Sequence, residues 1–333
     1  MIRSAIALGL TLAGGVYAAG ASRAGAADTV SPPRGMNAEQ FRQIVLAMPH
    51  VLPPEPLYAG PIPNSIAGPD TERSVNTFGL DSVREVSRPT LQAWLPAAGR
   101  NTHTAILVFP GGGYEFLSIE MEGRRIAAEL QDRGITAVVV KYRLPSDRTM
   151  PDKSIGPLQD AQQALRLVRA HAAEWHVDPH RIGVMGFSAG GHLAATISTH
   201  FDRAYVPNPD QSDLRPDFSI LVYPVISLQP SLTHPGSARA LLGSAPSAQQ
   251  LELLSNERQV TDRTPPALLL AASDDHLVDV DNSIAYYEAL RHHQVAAELV
   301  LLPHGDHGFF AIGRDQWLQP LWNWLGQGGW LTP

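Results

Sequence analysis

The chain has no cysteine among its 333 residues. Disulfides and a lipid anchor on an N-terminal cysteine are therefore excluded, and stability must come from the apolar core alone. Charge is sparse as well: Asp, Glu, Lys and Arg make up 17% of residues, with a net charge of −7 and no basic run. A nucleic-acid binder needs a basic surface to neutralise phosphates, so that class is excluded too. The histidines, including His192 and the adjacent His292 and His293, fall at spacings that suggest no metal site. The apolar stretch Ala5 to Val16 is too short to cross and remain in a bilayer core about 30 Å thick.

That stretch instead follows the positive start Met1-Ile-Arg3 and precedes the small residues Ala24-Gly-Ala26, the pattern of a secretory signal peptide over residues 1–26. The mature chain is expected to begin near Ala27 and to be periplasmic or secreted. Nine prolines between residues 31 and 70 predict an extended lead-in, residues 27–75, with a short helix at Ala38 to Ala47. Residues 76–333 then form one domain, and 44% hydrophobic residues are enough to bury a large core.

Within that domain, Arg84 to Leu95 reads as a first strand, Ala105-Ile-Leu-Val-Phe109 as a buried one, Gly123 to Arg133 as a helix and Thr136 to Val140 as a central strand. Leu158 to Trp175 is amphipathic, with Leu158, Ala161, Leu165, Val168 and Ala172 on one face. Alternating β and α segments with continuously apolar strands predict an α/β fold with a mostly parallel sheet covered on both faces.

Chemistry enters at Gly186-Phe-Ser188-Ala-Gly190, a G-x-S-x-G pentapeptide between the apolar run Arg181 to Met185 and the helix-forming Leu193 to Ile197. A strand-to-helix turn of this kind lifts a serine hydroxyl clear of the backbone, which makes Ser188 the candidate nucleophile. Its oxyanion donors should lie after an earlier central strand, and Pro110-Gly111-Gly112-Gly113-Tyr114 follows Phe109 directly. One donor is expected among Gly111, Gly112 and Gly113, with Gly112 favoured, and the second at Ala189. The acid should follow a later strand. Pro266 to Ala272 is that strand, and Asp274 and Asp275 stand in the loop beyond it. The histidine should come last. His307, flanked by glycines nearby, is preferred to His304, which follows a proline.

Taken together, Phe109-Pro-Gly-Gly-Gly-Tyr114, Glu122-Gly123, Lys141-Tyr-Arg-Leu144, Gly186-Phe-Ser-Ala-Gly-Gly-His-Leu193, Pro265-Pro266, Asp274-Asp275 and His304-Gly-Asp-His-Gly-Phe309 resemble the acetyl-xylan esterase and feruloyl esterase-like branch of the α/β-hydrolase superfamily, from about Ala105 to Phe310. The resemblance implies the α/β-hydrolase fold and hydrolysis of small acyl esters, often acetyl groups on plant polysaccharide, without metal or organic cofactor. It also favours Asp275 over Asp274, because in related hydrolases the acid stands three residues before a valine, here Val278. The implied partner is a small acyl ester or an acetylated oligosaccharide, with no nucleic acid and no stable membrane insertion. The oligomeric state is left open. Tyr114, Tyr223 and Val278 follow the relevant strands and are candidates to line the acyl or sugar site. Glu122, Arg143 and Asp160 are expected to brace loops around it.

Other readings fit less well. A glycosidase would use Glu120 and Glu122 as an acid and base pair, which is defined by distance across a cleft and not by spacing. A peptidase would need a further domain to select peptides. A general short-chain esterase or lipase and a feruloyl esterase stay within the same chemistry. A carbohydrate-binding protein that kept the fold would have no use for a complete Ser, Asp, His and triple-glycine set.

The segment from about Gln229 to Arg263 is short for a roof, so little apolar surface is available for a long acyl chain, whose methylenes would each contribute about 0.8 kcal/mol. With a p-nitrophenyl ester series, kcat/KM is expected to be highest from acetyl to butyryl and to fall at octanoyl, without activation by lipid droplets. A steady rise toward long chains would mean that the segment is a true lid.

Overall fold

In a computed structural model, the residues described are 49–77 and 80–333. The expected signal peptide and the helix at Ala38 to Ala47 lie outside them. The strands are β1 (His50–Val51), β2 (Glu55–Pro56), β3 (Arg73–Thr77), β4 (Leu80–Arg84), β5 (Thr90–Leu95), β6 (Ala105–Phe109), β7 (Phe116–Leu117), β8 (Thr136–Lys141), β9 (Ile182–Phe187), β10 (Ser219–Val222), β11 (Ala267–Ala272) and β12 (Ala297–Leu302). The helices are α1 (Arg125–Asp132), α2 (Gly156–Ala170), α3 (Ser188–Thr199), α4 (Pro235–Leu242), α5 (Ala248–Leu253), α6 (Asp281–His292) and α7 (Arg314–Gln327).

The main sheet runs β1-β5-β8-β6-β9-β10-β11-β12, with β2 also paired to β5. From β8 to β12 every neighbour is parallel, while β5 joins β8 antiparallel. All residues of β6, β9, β10 and β11 are buried. A strand buried along its whole length must be covered on both faces, which is why these segments read as unbroken apolar runs and not as alternating ones. This is the α/β-hydrolase layout. It brings the C-terminal ends of the parallel strands to one edge of the sheet, the edge from which the glycine, serine, aspartate and histidine loops all emerge.

A second, antiparallel sheet, β3-β4-β7, corrects one expectation. Arg84 to Leu95 is not one strand: β4 ends at Arg84 and β5 begins at Thr90. Glu85 sits at φ 57°, a left-handed conformation, and Pro89 offers no N–H to a ladder, so the chain leaves one sheet and joins the other. The small sheet has a use, because β4 pairs with β7 at Val83–Leu117 and Arg84–Phe116 and so anchors the far end of the glycine loop. Two helix boundaries also differ. A π-helical turn over Ile119–Arg124 precedes α1, and α2 stops at Ala170, leaving buried Ala172 and Trp175 in the turn beyond it.

Directly after β8, Arg143 and Asp160 form an ion pair whose side chains are 1% and 0% exposed, with Nη2 2.9 Å from Oδ1. The Arg143 N–H also donates to Asp160 Oδ2 at 2.8 Å, Tyr58 donates to Oδ1 at 2.9 Å, and Arg143 Nη1 donates to the Pro63 carbonyl at 2.8 Å. The pair ties the N-terminal lead-in, the β8 exit and α2 together, as expected of a brace. Removing one partner strands a buried charge, so Asp160→Ala should lower the unfolding free energy by about 3–5 kcal/mol in a urea titration. A loss below about 1 kcal/mol would show that the pair does not hold this corner.

Candidate active site

The crossing from β9 to α3 places Ser188 at φ 52°, a left-handed backbone angle that L residues with side chains seldom adopt. The turn closes tightly enough to exclude side chains beside it: a β-carbon on Gly190 would stand 2.1 Å from the Phe109 carbonyl oxygen, and one on Gly186 2.1 Å from that of Gly190. Ser188 thus faces the cleft with its helix behind it.

Ser188 Oγ lies 2.9 Å from His307 Nε2, and His307 Nδ1 lies 2.8 Å from Asp275 Oδ2. A carboxylate can only accept here, so Nδ1 carries the proton and Nε2 is free to accept from the serine hydroxyl. The other Asp275 oxygen accepts the backbone N–H groups of Leu277 and Val278, each at 2.9 Å. The Asp275 carboxylate is therefore clamped by the backbone two and three positions on, contacts that any residue other than proline could supply. Asp274 faces elsewhere. It accepts from the Asp306 N–H at 2.9 Å and stands 3.5 Å from His304 Nδ1, whose side chain is 83% exposed. Asp306, which the sequence reading passed over, is at φ 50° and accepts the His307 N–H, so it shapes the loop carrying the histidine.

The glycine loop divides its amides. Gly111 N–H donates to Glu122 Oε2 at 2.8 Å and is already engaged. The N–H groups of Gly112 and Gly113 have no acceptor among the described residues, and both glycines line the cleft with Ser188. Gly112, at φ 126°, is in a conformation that favours glycine, and a β-carbon there would stand 2.2 Å from the Phe116 carbonyl oxygen. Ala189 is the second residue of α3, where helix N–H groups have no acceptor in the preceding turn.

Glu122 closes this arrangement from below. Its Oε1 accepts from the Tyr223 hydroxyl at 3.0 Å while Oε2 holds Gly111. Burial pushes its carboxyl above the usual range, opposed by the Gly111 N–H, the Tyr223 hydroxyl and His307. Tyr142, from the Lys-Tyr-Arg-Leu segment, donates to the Pro110 carbonyl at 2.6 Å, so two separate elements hold the start of the loop.

The three aromatic and apolar candidates behave differently from expectation. Tyr114 is 2% exposed and packs beneath the loop, its hydroxyl 2.8 Å from His192 Nδ1. His192 Nε2 faces the Leu254 carbonyl at 2.9 Å and must carry the ring proton, so Tyr114 is the donor to Nδ1; burial lowers the His192 pKa to about 4. Val278 is buried, and its contribution is its N–H to Asp275. Both pack into the core and neither lines the cleft around Ser188, although Tyr114 borders the adjoining hollow of about 470 Å³. Tyr223 lies tilted against His307, with ring centroids 4.8 Å apart, and supports the histidine and Glu122.

The cleft itself has a volume of about 420 Å³ and is completed by Glu115, Phe116, His234, Gly236, Leu277 and Phe310. Phe310 is 75% exposed and Leu277 53%, so the rim is open and partly apolar. Among the described residues no group of three or more His, Asp or Glu could hold a metal ion, and no helix is long and apolar enough to cross a membrane.

The model of the BD-FAE family matches residues 91–290, well over half of the chain. The chain belongs to the BD-FAE family. The match includes Ser188 and Asp275 and stops before His307. Among curated relatives of this BD-FAE member, an acetylxylan esterase of Xylanibacter ruminicola is 41% identical over 231 residues, covering 66% of this chain and 45% of the relative. Endo-1,4-beta-xylanase B of Butyrivibrio fibrisolvens is 35% identical over 223 residues, covering 66% of this chain and 34% of the relative. The chain thus spans less than half the length of these two relatives. A solved structure of an acetyl ester-xyloside bifunctional hydrolase from Caldicellulosiruptor lactoaceticus superposes with a TM-score of 0.69 at 35% identity, over 84% of this chain and 97% of that one.

The two aspartates supply a direct test. Asp275→Asn should cut kcat by about 10⁴, the scale at which a wrong histidine tautomer acts, whereas Asp274→Asn should cost far less. Steady-state kinetics on p-nitrophenyl acetate ranks them. The opposite order would place the acid one residue earlier.

Proposed function

We propose that this protein is an exported serine carboxylesterase that removes short acyl groups, acetyl above all, from xylan-type carbohydrate. The observation that carries the chemistry is the Ser188–His307–Asp275 relay, at 2.9 and 2.8 Å, facing the unengaged amides of Gly112 and Gly113. The carbohydrate reading is supported by the printed activities of similar proteins, an acetylxylan esterase and an acetyl ester-xyloside hydrolase. Export is supported by the basic, apolar and small-residue pattern over residues 1–26, with the Pro-rich 27–75 leading into the hydrolase domain at 76–333.

In this mechanism His307 takes the Ser188 proton as Oγ attacks the ester carbonyl carbon. The oxyanion that forms is met by N–H groups of the Gly112–Gly113 loop and of Ala189, aimed before the reaction begins. Asp275 keeps the imidazolium oriented and stabilised. Collapse of the tetrahedral adduct breaks the bond to the alcohol oxygen, which leaves with the proton from His307, and the acyl group stays on Ser188. A water deprotonated by His307 then attacks the acyl-enzyme and releases the acid.

Ser188→Ala should reduce hydrolysis of acetylated xylo-oligosaccharides and of p-nitrophenyl acetate by at least about a thousandfold, with an unchanged thermal unfolding midpoint. Turnover near the wild-type rate in a folded variant would end the covalent mechanism. Wild-type protein that cleaves p-nitrophenyl acetate but releases no acetate from acetylated xylan would end the carbohydrate reading alone.

A further inference from the structure

His234 lies in the segment between β10 and β11, immediately before α4, and lines the cleft together with Ser188 and His307. Its ring is held from one side only. Nδ1 accepts the backbone N–H of Ser237 at 3.2 Å and lies 2.9 Å from the Ser237 hydroxyl. A backbone N–H can only donate, so Nδ1 carries no proton and the neutral ring must bear it on Nε2. Burial, followed by the nearby charge of His307, lowers the His234 pKa and favours that neutral form. With Nδ1 tied back to α4, Nε2–H sits on the far side of the ring and donates to no acceptor among the described residues.

The side of the ester that this donor meets follows from the chemistry. His307 must hand its proton to the departing alcohol oxygen, so the alcohol half lies on the histidine side of Ser188. His234 lines the same cleft as His307, close enough to feel the charges of His307, Glu115 and Asp275. Glu115 is exposed and lines the same cleft, which adds a hydrogen-bond acceptor to the donor. It also borders a second hollow of about 470 Å³ whose mixed lining includes Tyr114, Leu144, Ser146, Lys153 and Arg239, giving a longer alcohol room to continue. A donor and an acceptor in the cleft suit a polyol, whereas a plain alkyl or aryl alcohol packed against His234 would leave its Nε2–H without a partner.

We propose that His234 is a specificity-determining residue: its Nε2–H donates to a free hydroxyl on the carbon next to the one carrying the ester, so that esters of vicinal diols, as in sugars, are chosen over simple esters. The assignment deepens the carbohydrate-esterase reading and rests on it for the natural substrate, yet it can be tested with alcohols that are not sugars. The readout is the ratio of kcat/KM for trans-2-hydroxycyclohexyl acetate to that for cyclohexyl acetate, two esters that differ by one hydroxyl.

The wild-type ratio should be about fivefold to tenfold, the worth of one hydrogen bond to a neutral donor, and should fall to near one in His234→Asn. Asparagine is a favoured N-cap, so it keeps an acceptor for the Ser237 N–H while removing the Nε2 donor. A wild-type ratio near one overturns the proposal without any variant. So does a ratio that survives in His234→Asn, even where both constants fall together, because a structural role would lower both esters alike. Acetate release from acetylated xylo-oligosaccharides, measured in parallel, reports on the xylan reading separately: its absence beside an intact ratio effect refutes xylan as substrate and leaves the role of His234 supported.

Discussion

The site depends on how closely two backbone segments approach. The end of β6 and the first turn of α3 meet with Gly190 against the Phe109 and Pro110 carbonyls, at distances that admit no β-carbon, and a β-carbon on Gly111 would stand 2.6 Å from the Phe187 carbonyl oxygen. The turn at Ser188 and the glycine loop are thus set against each other by main-chain contact, with no flexible side chain between them. Such contact is stiff, as close-packed interiors are, and oxyanion stabilisation needs that stiffness because the donors must be aimed before charge develops. The left-handed angle at Ser188 costs of the order of 1–3 kcal/mol, and the fully buried β9 and the α3 residues Ser188 to Ser198, all buried, over-determine it.

Around that contact, polar groups are used as struts. Glu122 joins the glycine loop to Tyr223, Tyr142 ties the Pro110 carbonyl to the β8 exit, and Asp274 and Asp306 hold the histidine loop to the aspartate loop. Each links the ends of different parallel strands. The struts consume the hydrogen-bonding capacity of groups that would otherwise compete for substrate, Gly111 N–H being the plainest case, and what remains unengaged in the cleft is the set that can act on an ester. The division of labour between neighbours, Gly111 bracing and Gly112 with Gly113 free, or Asp274 bracing and Asp275 on the histidine, follows from which way each group faces.

That division also marks where the sequence was legible. The order of elements, the G-x-S-x-G turn, the triple glycine and the acid and base loops could be read because each leaves a local trace: an apolar run, a glycine where the backbone must turn or approach, a titratable residue after a strand. Facing could not be read. Tyr114 and Val278 follow the right strands yet pack into the core, and Glu122 finds Tyr223 across 101 residues of chain. The break between β4 and β5 has a visible signal in Pro89, which offers no N–H to a ladder. The tautomer of His234 had none, since it is set by a partner three residues on and a cleft assembled from distant loops.

The central claim is that one serine, set in this turn, carries the acyl group. It is tested most directly by treating the protein with diethyl p-nitrophenyl phosphate, which transfers its phosphoryl group to an activated serine, and then mapping the adduct by peptide mass spectrometry while following ester hydrolysis. The account predicts a single adduct on Ser188 that accumulates in step with the loss of activity and is absent from Ser188→Ala. Complete inactivation with the adduct on another residue, or full ester hydrolysis by protein labelled at Ser188, would contradict it.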